Sequence, residues 1–252
     1  MTEPSVHYWL TVGLFAMAAV TLGLLSFVSA PYGRHVRGGW GPMIPRRIAW
    51  LVMESPAVFG FACLYSIGSH SGQPVPLLLL TLWQVHYVHR TLVYPFRARS
   101  PGSPWPISIV VVAFCFQTFN AYLNARWISH LGAYETSWLV DPRFATGVAI
   151  FLGGFLLNVW SDEKLRVLRS PGDSGYRIPR GGAFEFVSCP NYLGEILEWI
   201  GWAIATWSLA GAAFAAYTVA NLVPRARSHH RWYKEEFEDY PRGRTALVPR
   251  LW

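Results

Sequence analysis

Five stretches of this chain, residues 8–28, 48–67, 75–94, 107–127 and 144–160, are strongly apolar, nearly free of charge and close to 20 residues long, and a sixth run covers 192–223. A helix must supply roughly 20 such residues to cross a hydrocarbon core of about 30 Å, so each run has the dimensions of a membrane span. The sixth is too long for one crossing. It is interrupted at 208–211, where Ser208 and Gly211 suit a tight turn, and it reads as two closely spaced helices. The expectation is an all-α polytopic membrane protein, a bundle of seven transmembrane helices forming a single membrane domain over 1–252. Charged residues make up only 14% of the chain against 52% hydrophobic ones, which leaves too little polar surface for an ordinary soluble domain of this length. The first run lacks the basic leader and small-residue site of a cleavable signal.

Seven spans require Lys and Arg to collect in alternate loops. Of the 21 basic residues, 18 lie after the first, third, fifth and seventh runs. Arg126 and Arg143 fall on the opposite side, and Arg90 lies within a run. This pattern puts the N-terminus outside and the C-terminus in the cytoplasm, either of a bacterial cytoplasmic membrane or of the endoplasmic reticulum membrane. Topology and attraction to anionic lipid account for the pI of 9.5, so no nucleic-acid partner is expected. The three cysteines, Cys63, Cys115 and Cys189, have no paired spacing. His86 and His89 form an H-x-x-H without a convincing third ligand, and no metal is expected.

Polar side chains are expensive at membrane depth and mark functional faces. Glu54 lies in the second run. The third carries Gln84, His86, Tyr87, His89 and Arg90, with Tyr87, Thr91 and Tyr94 on one helical face. Asn158, Asp162 and Arg169 share a face of a helix leaving the membrane. A turn-rich loop follows with Tyr176 and Arg177, and Pro190 is suited to the first turn of the next helix. Asn191, Glu195, Glu198 and Trp202 then descend one face, and Arg225, His229 and Tyr233 share another. Amides and carboxylates suit ribose and carboxamide groups, and guanidinium groups suit phosphates, which together describe a nucleotide cofactor. Neither G-x-G-x-x-G after a strand nor a P-loop is present, so the cofactor must enter the helical bundle itself.

Residues 49–56, 86–95 (HYVHRTLVYP), 174–182 (SGYRIPRGG), 191–201 (NYLGEILEWIG), 230–241 (HRWYKEEFEDYP) and 246–249 resemble the steroid 5-alpha-reductase family, its type 2 members in particular. The resemblance runs over nearly the whole chain. It implies a seven-helix bundle enclosing NADPH and reducing the 4-ene of a 3-oxo steroid such as testosterone or progesterone. It assigns cofactor binding to Asn158, Asp162, Arg169, Tyr176, Arg177, Asn191, Glu195, Arg225, His229 and Tyr233. It assigns the substrate carbonyl to Glu54 and Tyr87. On this reading helices within 1–140 bind substrate and those within 141–252 bind NADPH, with membrane lipid as surroundings and a monomer as the unit.

Three alternatives stay open, the non-enzyme one being a small transporter or membrane scaffold. The Pro-Asn-Tyr at 190–192 and the Glu235-Glu236 pair also resemble membrane methyltransferases of the isoprenylcysteine and phospholipid type, which use S-adenosylmethionine. Within the reductase framework, polyprenols and enoyl thioesters are further substrate classes.

Overall fold

The structure is a computed structural model, and it describes residues 1–28, 39–97, 103–168 and 176–251. Arg34, Arg37, Arg99, Arg169 and the loop 170–175 lie outside the described residues. The helices are α1 (Glu3–Phe27), α2 (Arg46–Ser55), α3 (Phe61–Ser66), α4 (Pro74–Val88), α5 (Tyr94–Arg97), α6 (Ile107–Arg126), α7 (Pro142–Val167), α8 (Pro190–Thr206) and α9 (Leu209–Glu236). Among the described residues, four stretches are long and apolar enough to cross a membrane: Glu3–Phe27, Arg46–Ser66, Ile107–Leu131 and Pro142–Val167. Each apolar run of the sequence is helical, and the sixth divides where its composition places the break. Trp207 takes a left-handed conformation (φ 45°), and Ser208 caps α9 by accepting from Gly211 N at 2.9 Å. Pro190 occupies the first turn of α8, as expected.

The chain divides into two compact units, Met1–Val12 with Ala30–Ala145, and Gly13–Ser29 with Thr146–Trp252. In the first unit, α2 and α3 pack along α6. A two-residue antiparallel pairing, Met43–Ile44 with Trp105–Pro106, ties the starts of α2 and α6 together. At the unit's other end Arg126 grips Glu3 with two hydrogen bonds of 2.7 and 3.0 Å, and His7 Nε2 lies 2.9 Å from Leu123 O.

Three wide π-helical turns interrupt this unit, at Pro56–Gly60, His89–Val93 and Trp127–Leu131. The first has a covalent cause. Pro56 has no N–H for Val52 O, and the Ser55 hydroxyl donates to that oxygen instead at 2.9 Å. Downstream, Phe61 N–H bonds to Pro56 O, so Ala57 O loses its α-helical donor. Trp83 Nε1 on α4 supplies the bond at 2.8 Å, and Gln84 Nε2 donates to Val58 O at 3.1 Å. The second π turn works in the opposite direction. Tyr94 N–H goes to His89 O, and Pro95 has no N–H for Arg90 O. Trp50 Nε1 of α2 donates to Arg90 O at 2.7 Å, with the Arg90 guanidinium 4.9 Å over its ring. The two irregular turns thus exchange side-chain donors, which sets the register of α2 against α4. A backbone carbonyl left unsatisfied at membrane depth costs several kcal/mol, so roughly that much holds each bond in place.

In the second unit α7 and α8 approach through glycines at heptad spacing, Gly154 against Gly194 and Gly147 against Gly201. A Cβ on Gly194 would lie 2.6 Å from Asn158 N and 2.7 Å from Gly154 O. Helix α9 packs along α8 with Phe214 against Trp199, ring centroids 4.4 Å apart. The C-terminal segment returns beside residues 186–189. Ser188 N donates to Thr245 O and Cys189 N to Ala246 O, while the Ser188 hydroxyl sits 2.6 Å from His230 Nδ1 and 2.7 Å from Tyr240 Oη.

Candidate active site

Glu54 and Tyr87 belong to the first unit and converge on a third side chain. The π turns that lock α2 to α4 bring them to the face of α6 that carries Gln117. Gln117 Nε2 donates to Glu54 Oε2 at 2.6 Å, and the Tyr87 hydroxyl donates to Gln117 Oε1 at 3.4 Å. Tyr87 is 2% exposed, its ring held by Trp83 and His86 with centroids 4.8 Å away on each side. Glu54 and Gln117 are half-buried. A phenol, a carboxyl group and a carboxamide are thus gathered where they can hydrogen-bond one polar atom of a ligand. The sequence reading did not include Gln117. Its signal was present, since it is the glutamine within the apolar run 107–127.

The expected nucleotide residues lie in the second unit. Asn158 Nδ2 donates to Asn191 O at 3.0 Å, and Asn191 Nδ2 donates to Asp162 Oδ1 at 3.0 Å, so these three form a chain across α7 and α8. The glycine contact makes it possible, because both bonds need the backbones close. Glu195 follows one turn below Asn191, half-buried. His229 Nε2 on α9 lies 3.0 Å from the Tyr192 hydroxyl, which joins α9 to the α8 turn bearing Asn191. Tyr233 is buried and stacks on Tyr240, centroids 5.3 Å apart and rings nearly parallel. Tyr176 packs edge-on against Trp232 at 4.8 Å, and Arg177 is exposed. Arg225 is half-buried on α9. The lower half of the expected α8 stripe has a different role, since Glu198 and Trp202 are fully buried and the Glu198 backbone faces Gly154.

These residues fit a nucleotide. Ser161, between Asn158 and Asp162 in sequence, is fully buried, and its hydroxyl has no hydrogen-bond partner among the described residues, which leaves a donor and acceptor for a bound hydroxyl or amide. The amides of Asn158 and Asn191 and the carboxyl group of Asp162 lie together where α7 ends and α8 begins. In the segment before α8, Gly181 N donates to Glu185 Oε1 at 2.5 Å. That bond, followed by the Arg244 and Arg180 charges, holds the Glu185 carboxyl below the usual carboxylate range.

Residues 103–252 match the family described as 3-oxo-5-alpha-steroid 4-dehydrogenase. Steroid 5-alpha-reductase DET2 of Arabidopsis thaliana is 46% identical over 250 residues, 96% of this chain and 95% of its own. The 3-oxo-5-alpha-steroid 4-dehydrogenase 1 of Bos taurus is 45% identical over 243 residues, 94% and 93% of the two chains. The human protein of the same name is 46% identical over 224 residues, 87% and 85%. These relatives are named as steroid reductases and dehydrogenases, and the methyltransferase alternative is not favoured. With near-complete coverage at this identity, the chain belongs to the steroid 5-alpha-reductase family, the 3-oxo-5-alpha-steroid 4-dehydrogenases.

Proposed function

We propose that this protein reduces the 4-ene of 3-oxo-4-ene steroids, testosterone and progesterone among them, to the 5-alpha-reduced 3-oxo steroids with NADPH as cofactor. The observation that carries this reading is the meeting of Tyr87, Glu54 and Gln117 within apolar helices of a chain whose relatives are steroid 5-alpha-reductases. A conjugated ketone accepts hydride at its beta carbon only if the charge developing on oxygen is stabilised. NADPH, when bound, supplies that hydride. Tyr87 donates a hydrogen bond to the ketone oxygen, and Glu54 sits beside it to orient and polarise the site. The apolar helix faces around the pair exclude bulk water, which strengthens the hydrogen bond to the developing oxyanion. A solvent-derived proton completes the alpha carbon.

Asn158, Asp162, Asn191 and Glu195 suit the ribose and carboxamide groups of the cofactor, with Tyr176, His229 and Tyr233 as its aromatic and imidazole contacts. Arg169, Arg177 and Arg225 are the candidates for its extra phosphate. Purified protein incubated with NADPH and progesterone or testosterone should yield a product two hydrogens heavier by mass spectrometry. No mass gain with any 3-oxo-4-ene steroid, and turnover of a polyprenol or enoyl thioester instead, would move the substrate assignment within the family.

Cofactor choice has its own expected result. Alanine at Arg177 or Arg225 should weaken NADPH far more than NADH, because a guanidinium that pairs with the extra phosphate has no partner in NADH. Titration of both cofactors against each variant measures this, and equal use of NADPH and NADH by the parent protein would refute it.

The proposed topology has seven spans, counting 74–97 and the α8 and α9 segments with the four long helices, with the N-terminus outside and the C-terminus in the cytoplasm. A single cysteine placed at exposed Ser69 in a cysteine-free background should be labelled by an impermeant maleimide only from outside, and one at exposed Gly243 only from inside. Labelling of both from one side contradicts the topology.

A further inference from the structure

Gln117 has two polar ends and uses both. Its Nε2–H reaches Glu54 at 2.6 Å, shorter than the common 2.9 to 3.0 Å for N–H···O, and bonds to charged acceptors are the shorter ones. Its Oε1 receives the Tyr87 hydroxyl at 3.4 Å, near the limit for a hydrogen bond. One amide therefore holds the carboxyl group tightly and the phenol loosely. We propose that Gln117 is a positioning residue for enone recognition: its Nε2 fixes Glu54 as an acceptor, and its Oε1 parks the Tyr87 proton until the ketone oxygen takes that bond over. The inference rests on the reading of Tyr87 as the carbonyl donor.

The geometry follows from the fold. Gln117 is on α6, while Glu54 and Tyr87 are on α2 and α4, whose mutual register is set by the crossed tryptophan bonds at the π turns. With α2 and α4 fixed, the α6 carboxamide lies across the gap between the two functional groups. The polarity of an amide is directional, and its orientation determines what Glu54 does. A nitrogen facing Glu54 requires an acceptor there, so Glu54 is not the hydrogen-bond donor to the substrate at that oxygen. The Tyr87 hydroxyl, held by only a long bond to Gln117 Oε1, is the donor assigned to the ketone. A long bond in the resting site loses little when the hydroxyl turns to a stronger acceptor, the oxygen on which charge develops.

Gln117→Met keeps most of the volume and removes both bonds. With saturating NADPH and progesterone, kcat should fall about tenfold, the worth of one typical hydrogen bond of about 1.4 kcal/mol, while NADPH affinity and thermal midpoint stay near those of the parent. Gln117→Glu keeps the size but sets a second carboxyl group against Glu54. Two such groups share one proton, so its kcat should decline with rising pH through a titration that the parent does not show. A residue that only packs would give neither the kcat loss nor the new pH dependence. A kcat within twofold of the parent for Gln117→Met, with Tyr87→Phe inactive, overturns the role of Gln117 and leaves the carbonyl-donor reading intact. Full activity in Tyr87→Phe overturns that reading instead. Should Gln117→Met fail to fold, the pH profile of Gln117→Glu decides alone, and a profile parallel to the parent's refutes the proposal.

Discussion

Replacing Tyr87 by Phe is expected to lower single-turnover hydride transfer about 100- to 1,000-fold, the effect of losing one oxyanion donor worth about 2.7 to 4 kcal/mol. NADPH affinity should stay near that of the parent, because the residues assigned to the cofactor all come from α7 onward in the chain. Phe retains the ring contacts with Trp83 and His86, so the substitution removes the hydroxyl and little else. If Tyr87 served only to join helices, its loss would cost about 0.6 kcal/mol of stability and leave turnover almost unchanged, as for typical hydrogen bonds between membrane helices. The two outcomes differ by two orders of magnitude in rate. Glu54→Gln should be milder, about tenfold, since an amide oxygen still accepts from Gln117 Nε2 while the charge that strengthens that bond is gone. Stopped-flow oxidation of NADPH with a 3-oxo-4-ene steroid separates the cases. Near-normal transfer in Tyr87→Phe would remove the pair from the chemistry, and parallel loss of cofactor affinity would make its role structural.

A single methyl group at the α7–α8 contact is expected to have the next largest effect. In Gly194→Ala the new Cβ meets Asn158 N and Gly154 O, backbone atoms that no rotamer change can move. The helices must separate, at about 1 to 3 kcal/mol or more for overpacking of this kind. Separation also breaks the two 3.0 Å bonds linking Asn158, Asn191 and Asp162, whose donors and acceptors span the same contact. A lower thermal midpoint and at least tenfold weaker NADPH binding should appear together. Gly153→Ala is the matched control on α7, where a Cβ meets nothing within 4 Å and a better helix former should leave binding alone. Unchanged melting and unchanged NADPH affinity in Gly194→Ala would show that the close approach is not needed.

Much of this protein is a one-dimensional matter. Bilayer thickness and helical rise convert apolar run length into spans, so the helices at 3–27, 46–66, 107–131 and 142–167 follow from counting. The break between α8 and α9 was legible because Ser208 is a good cap and sits at the interruption of an overlong run. Spacing placed Asn158 and Asp162 on one face of α7, and Asn191 and Glu195 on one face of α8, because helical periodicity relates residues within a few turns. Resemblance to the family supplied Glu54 and Tyr87 as a pair.

Periodicity cannot relate residues on different helices, and there the tertiary structure decided. Gln117 is 63 residues from Glu54 and 30 from Tyr87, and only the rotation of α6 against α2 and α4 brings the three together. That rotation depends on π turns at 56–60 and 89–93, each of which leaves a carbonyl without its backbone donor, Ala57 O and Arg90 O, and each of these accepts from a tryptophan of the neighbouring helix. Prolines 56 and 95 were visible in the sequence, but the pairing of Trp83 with Ala57 O and of Trp50 with Arg90 O was not. Glu198 and Trp202 share a stripe with Asn191 and Glu195, yet they are sealed inside because Gly154 lets α7 close over that part of α8. The chain alone thus determines which residues can lie in the membrane and which share a helical face. Contact between helices, governed by glycine-sized gaps and by the need to satisfy each displaced carbonyl, determines which of those faces meet.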